Sequence, residues 1–118
     1  MQVTCKEMME DLGLKLLDEG VSLDGEARFG FCCDLLSWVM TRACEGTAWI
    51  TVMTHMNVIA VAALLDLSCV IIPESIEVDQ GVLDKALEEG IPVFSSDKTG
   101  FELAGLLYAK GLTRPVKG

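Results

Sequence analysis

The chain is predicted to be an α/β protein, a three-layer α/β/α sandwich on a mostly parallel sheet. Three observations predict it. Ala48 to Met53 and Cys69 to Ile72 read as buried strands, and the almost wholly apolar Val58 to Leu65 between them reads as a helix. A strand–helix–strand unit of that length is a right-handed crossover, which makes the two strands parallel. Beyond it, β and α patterns alternate over the remaining residues.

The elements follow in order. Thr4-Cys5-Lys6-Glu7 has the form of a capping box, opening a short helix that carries Met8, Met9 and Leu12 and stops at Gly13. Leu14 to Leu17 is a short strand, and the polar, glycine-punctuated Asp18 to Glu26 is a loop. Phe29 to Cys33 is apolar enough for a strand. Asp34 then reads as the N-cap of a helix with Leu35, Leu36, Val39 and Met40 on one stripe, and Glu45-Gly46 breaks it. After the central unit, Asp79 caps a helix whose Val82, Leu83, Ala86 and Leu87 face inward, with Gly90 ending it. Ile91 to Ser95 is a strand. Thr99 to Glu102 is a second capping box, starting a helix that runs to Lys110 and closes at Gly111, and 111–118 reads as a frayed tail.

With 118 residues the chain is expected to be one domain, 1–118. Hydrophobic residues make up 51% and aromatics only 6%, so the core is aliphatic and some apolar surface stays uncovered on a lone subunit. Uncovered apolar patches mark partner surfaces, and a homodimer is the expectation. The net charge of −9 argues against nucleic acid and against anionic membranes, which recruit basic patches. No apolar run reaches the ~18 residues that span a bilayer, and Met1 to Cys5 lacks the pattern of a signal peptide. Five cysteines in predicted strands and helices suit a reducing cytoplasm, where free thiols pack as small hydrophobes.

Absent motifs narrow the function. There is no G-x-x-x-x-G-K-S/T phosphate loop, no G-x-G-x-x-G after a strand, and no H-x-x-x-H, C-x-x-C or G-x-S-x-G. The cysteine spacings match no zinc or iron–sulfur pattern, so neither a metal nor a cofactor is expected. One histidine and no strong acid/base pair point away from an independent enzyme.

Two polar turns remain as candidate ligand sites. Thr54-His55-Met56-Asn57 lies where a parallel sheet meets its ligands, at a strand's carboxyl end and a helix's amino end. Either Thr54, His55 and Asn57 help hold an anion there, or Thr54 or Asn57 caps the helix and His55 is a polar residue in a turn. Ser95 to Gly100 stands at the equivalent junction of the last strand, where Ser95, Asp97 and Thr99 either contribute to the same shallow pocket or serve capping. Asp34, Trp38 and Arg42, spaced by four, share one helix face. Trp38 and Arg42 are candidate interface residues, Trp38 being either a dimer anchor or the edge of the core.

These residues resemble a known family. Gly30 to Met40 (GFCCDLLSWVM) is similar to the G-x-x-x-S-D-L-L-S-x-V-M segment of small DRTGG-domain proteins. Trp49 to Ala62 (WITVMTHMNVIAVA) resembles their W-I-T-x-x-x-H-x-N-x-x-A-V-A segment, and Gly90 to Val93 and Phe101 to Gly105 are also similar. The resemblance implies a fold like the amino-terminal domain of HPr kinase/phosphorylase and of the Mur ligases. The kinase's phosphate-loop domain has no counterpart, and Asp97 to Phe101 (DKTGF) is the nearest match to the namesake string. The expectation is a cytoplasmic, non-catalytic regulatory or interaction domain, acting as a homodimer. It would sense a small anionic, nucleotide- or phosphate-containing metabolite or dock on a metabolic enzyme. The alternative is phosphoryl chemistry with His55 and Asp97.

Overall fold

The computed structural model describes residues 2–117; Met1 and Gly118, which close the leader and tail readings above, lie outside them. The elements are β1 (Val3–Thr4), α1 (Cys5–Leu12), β2 (Lys15–Leu16), β3 (Glu26–Ala27), β4 (Phe29–Cys32), α2 (Leu36–Arg42), β5 (Thr47–Ile50), α3 (Met56–Leu64), β6 (Cys69–Ile72), α4 (Gln80–Glu89), β7 (Val93–Ser95) and α5 (Gly100–Ala109). A five-stranded sheet has the order β2-β7-β6-β5-β4, while β1 and β3 form a small antiparallel pair. Strands β4 to β7 are parallel neighbours, with Ile50 beside Ile71 and Ile71 beside Phe94; β2 joins β7 antiparallel.

The alternation of side chains along each strand creates the three layers. Trp49, Val70, Ile72 and Val93 face one core cluster with Val39 of α2, Val58 and Ala62 of α3, and Val82 and Ala86 of α4. Ala48, Ile50, Cys69, Ile71 and Phe94 face the other, with Met8 of α1 and Leu103 and Leu107 of α5. Because both faces are covered, β5 and β6 are buried at every position and read as apolar runs. Gly30 lets α5 lie close on β4, since a Cβ there would stand 3.3 Å from Leu107 Cδ1.

Both predicted capping boxes form. Thr4 and Glu7 exchange bonds at α1, and Thr99 and Glu102 do so at α5. Asp79 occupies the N-cap of α4 without a side-chain bond, and Gly13 and Gly90 take the left-handed φ of 65° and 73° that ends α1 and α4.

Several expectations are corrected. Asp34 is not an N-cap: Leu35 holds that position with no side-chain bond, and the Asp34 carboxylate turns to β5 instead. The strand predicted to reach Met53 ends at Ile50, because Asp34 Oδ1 accepts from Thr51 Oγ1 at 2.8 Å and from the Val52 N–H at 2.9 Å. That bond pair draws the chain out of the ladder. The predicted loop ends in β3, which pairs Ala27 with Val3. The last strand starts at Val93 rather than Ile91, since Pro92 has no N–H for the ladder, although its C=O accepts from Val70.

The carboxyl-terminal segment is not frayed at its start. Leu112 is buried, Thr113 bridges Phe29 in parallel, and the Gly30 N–H donates to Thr113 C=O at 2.8 Å. This segment covers the exposed edge of β4, an edge that would otherwise present unpaired backbone groups. The cysteines also divide more than expected: Cys5 and Cys69 are core residues, Cys33 and Cys44 are half-buried, and Cys32 is exposed.

Candidate functional site

The carboxyl ends of β4, β5, β6 and β7 form one rim, as parallel pairing requires. At β4 and β5 the rim is fixed by Asp34, whose two accepted bonds tie the end of one strand to the turn after the next. Sequence reasoning missed this latch. An aspartate just before a helical stripe looks like a cap, and only the β4–β5 register brings Thr51 within its reach.

The 54–57 turn follows. His55 takes the N-cap position of α3 in extended conformation, and no side chain caps the helix. Thr54 and Asn57 therefore do not cap it. Val58 N–H donates to His55 C=O at 3.0 Å in a tight first turn. His55, Met56 and Asn57 are exposed and line a shallow hollow of about 240 Å³, with Thr54 half-buried beside them. The amino end of α3 is thus open, unlike those of α1 and α5.

The 95–99 turn is built differently. Ser96 is buried and its Oγ accepts from the Lys98 N–H at 3.1 Å. The loop after β6 braces it: Glu74 N–H donates to Lys98 C=O at 2.9 Å, and Ser75 N–H to Ser96 C=O at 2.8 Å. Glu74 and Ser75 hold these bonds in the left-handed region, at φ 58° and 53°, a conformation that non-glycine residues adopt at a cost. Thr99 is committed to its box, accepting from Glu102 N–H at 3.2 Å. The Thr99 backbone N–H, donating to Glu102, holds that carboxyl below its ordinary range. A carboxylate fixed over the α5 amino end disfavours an anion there. Asp97 is exposed, and Ser95 lines a separate cleft of about 420 Å³ with Leu17 and residues 75–79.

Of the two alternatives for the second turn Thr99 takes the capping one, and the two turns therefore share the rim but line separate hollows. The reason is topological: β6 and its loop lie between β5 and β7, and α3 and α5 cover opposite faces. His55 and Asp97 stand on opposite sides of that loop. Two intervening strand spacings put the turns on the order of 10 Å apart.

Elsewhere, Arg42 Cζ lies 5.1 Å from the centre of the Trp38 ring, and Trp38 is 48% exposed. Asp34 lies outside α2 and does not share their face. A hollow of about 550 Å³ opens at the opposite rim, among Arg28, Glu26, Glu45, Asp66 and Glu89. Among the described residues, no group of three or more His, Cys, Asp or Glu side chains is placed to hold a metal ion. No helix among them is long and apolar enough to cross a membrane.

The architecture is that of a small DRTGG-like domain. The solved structure it resembles holds the CBS and DRTGG domains of the regulatory region of Clostridium perfringens pyrophosphatase, complexed with its activator, diadenosine tetraphosphate. The likeness has a TM-score of 0.69 at 14% identity and covers 96% of this chain, which spans 48% of that one. No family model matches the chain, and no curated protein does.

Proposed function

We propose that residues 1–118 act as one cytoplasmic, non-catalytic regulatory unit, a homodimer that responds to a small nucleotide- or phosphate-containing ligand. The observation that carries this reading is the likeness, over 96% of the chain, to a regulatory region solved with a nucleotide activator. The open amino end of α3 supports it further. Uncapped helix amides are a ready anion site, and His55 and Asn57 add side-chain donors beside them. The phosphates of an extended ligand would then sit at the α3 end, and its uncharged nucleoside end would reach toward Ser95, Asp97 and Thr99, where the Glu102 carboxylate disfavours an anion. The loop between His55 and Asp97 supports a non-catalytic role, because a shared proton-transfer or phosphoryl step needs both groups at one reacting atom.

A thermal-shift panel of ATP, ADP, diadenosine tetraphosphate and inorganic phosphate tests the proposal. Ligand at 100 times its dissociation constant adds about 2.7 kcal/mol, a shift of several degrees for a domain of this size. The expected result is stabilisation by at least one dinucleotide or nucleotide, lost in His55→Ala, with no product formed. Turnover that vanishes in His55→Ala would make the chain an enzyme. No stabilisation, with a stable complex on a metabolic enzyme in a pull-down, would assign docking alone.

A further inference from the structure

We infer that Phe101 and the apolar cleft beside Tyr108 form a reciprocal lock through which two copies of this chain pair. This inference rests on the homodimer reading above and names its surface.

Helix α5 buries Leu103 and Leu107 against the sheet, yet its outward row is apolar too. Phe101 is 90% exposed and Tyr108 79%, with Ala104 and Gly105 between them. A phenylalanine so placed gains nothing from the fold of its own chain. Beside Tyr108, between α5 and the edge of β4, lies a hollow of about 240 Å³ whose walls include Phe31, Ala104, Leu107 and Leu112, with Arg114 among its lining residues. The exposed ring and the hollow are thus on one helix, two turns or about 10 Å apart.

That spacing is self-complementary. A twofold axis crossing α5 between Ala104 and Gly105 sets the two helices antiparallel, and carries Phe101 of each copy onto the Tyr108 hollow of the other. Gly105 stands at the axis, and a Cβ built there would meet no atom within 4 Å, so the helices can approach closely. The charges are compatible as well. The amino end of α5 carries Asp97, Lys98 and Glu102, a net −1, while at its carboxyl end Lys110 and Arg114 balance Asp11 and Glu7, so the end opposed to it carries no net repelling charge. Antiparallel pairing opposes these ends and the two helix dipoles. Two chains of charge −9 repel elsewhere, so they meet best where local charge cancels. Four aromatic rings contribute roughly 500–900 Å², and the walls of both hollows bring the contact toward the ~1,200–2,000 Å² of a specific interface.

Sedimentation equilibrium of the full chain at micromolar concentration tests the lock. The native protein is expected at twice the 12.8 kDa chain mass. Phe101→Glu should weaken pairing by about a hundredfold or more, as loss of an interface anchor does, while Trp38→Glu leaves it intact. Gly105→Glu is the second variant. It raises helix propensity, so it should keep or increase monomer stability, yet it sets two carboxylates face to face at the axis and should abolish the dimer. A monomeric native protein removes the homodimer reading and the lock together. A native dimer that survives Phe101→Glu or Gly105→Glu, or one that Trp38→Glu dissociates, overturns the lock and leaves the homodimer standing.

Discussion

Replacing Trp49 with alanine is expected to cost about 3–5 kcal/mol, most of the stability of a small domain. Trp49 is wholly buried in the middle of the sheet and is the largest side chain of its core layer. Alanine leaves a cavity that packed β-branched neighbours such as Val58, Val70 and Val39 cannot collapse into. The indole also has a polar task. Its Nε1–H donates to the Cys33 carbonyl at 2.9 Å, just where β4 gives way to the segment carrying Asp34. Trp49→Phe separates the two effects: most of the volume stays while the carbonyl loses its donor, for about 1–3 kcal/mol. Urea unfolding of the three proteins at one pH measures both. A loss below about 1 kcal/mol in Trp49→Ala would contradict the packing described.

The second large effect depends on pH and comes from Asp18. Its side chain is only 3% exposed; Oδ1 accepts from the Val93 N–H at 2.8 Å, while Oδ2 has no partner. Burial pushes its carboxyl up from 3.8 to about 6. Unfolded chain releases this proton near its ordinary value, whereas folded chain retains it, so folding takes up a proton between the two. The favourable contribution is full below about 3.8 and is lost as pH rises through about 6. The difference amounts to at most about 3 kcal/mol. Glu7 and Glu102 act in the opposite sense: bonds from Thr4 and Thr99 lower their carboxyls, so their contribution is present at neutral pH and lost in acid. Asp18→Asn keeps the acceptor for Val93 and removes the titration. Its stability should match the native protein below about pH 3.8 and exceed it by about 1–3 kcal/mol above about pH 6. Parallel pH profiles for the two proteins would show that Asp18 is not the source.

Much of the architecture was legible because each local signal agreed with the global one. The apolar runs at 48–50 and 69–72 could only be strands covered on both faces, and both T-x-x-E boxes open helices as written. What escaped reading depends on non-local pairing. Asp34 before a helical stripe satisfies every local rule for an N-cap, and only parallel β4 and β5 bring it a better partner in Thr51. Leu112 and Thr113 are too short a run to signal an edge contact, yet α5 delivers them beside β4. The candidate site was legible as two turns on one rim. Their separation was not, since it follows from the strand order, with β6 between β5 and β7. Phe101 and Tyr108 carried a readable signal, a helix apolar on its outer as well as its inner row, and its meaning appears only once Leu103 and Leu107 are seen to supply the buried face.

The most direct test of a ligand-responsive rim is a titration of the isotope-labelled protein with diadenosine tetraphosphate, followed by backbone amide resonances. Saturable shifts should concentrate at Thr54 to Asn57 and extend to Ser95 to Thr99, with the nucleotide recovered unchanged. Shifts confined to the acidic hollow around Glu26, Glu45 and Glu89, or a ligand consumed during the titration, would contradict it.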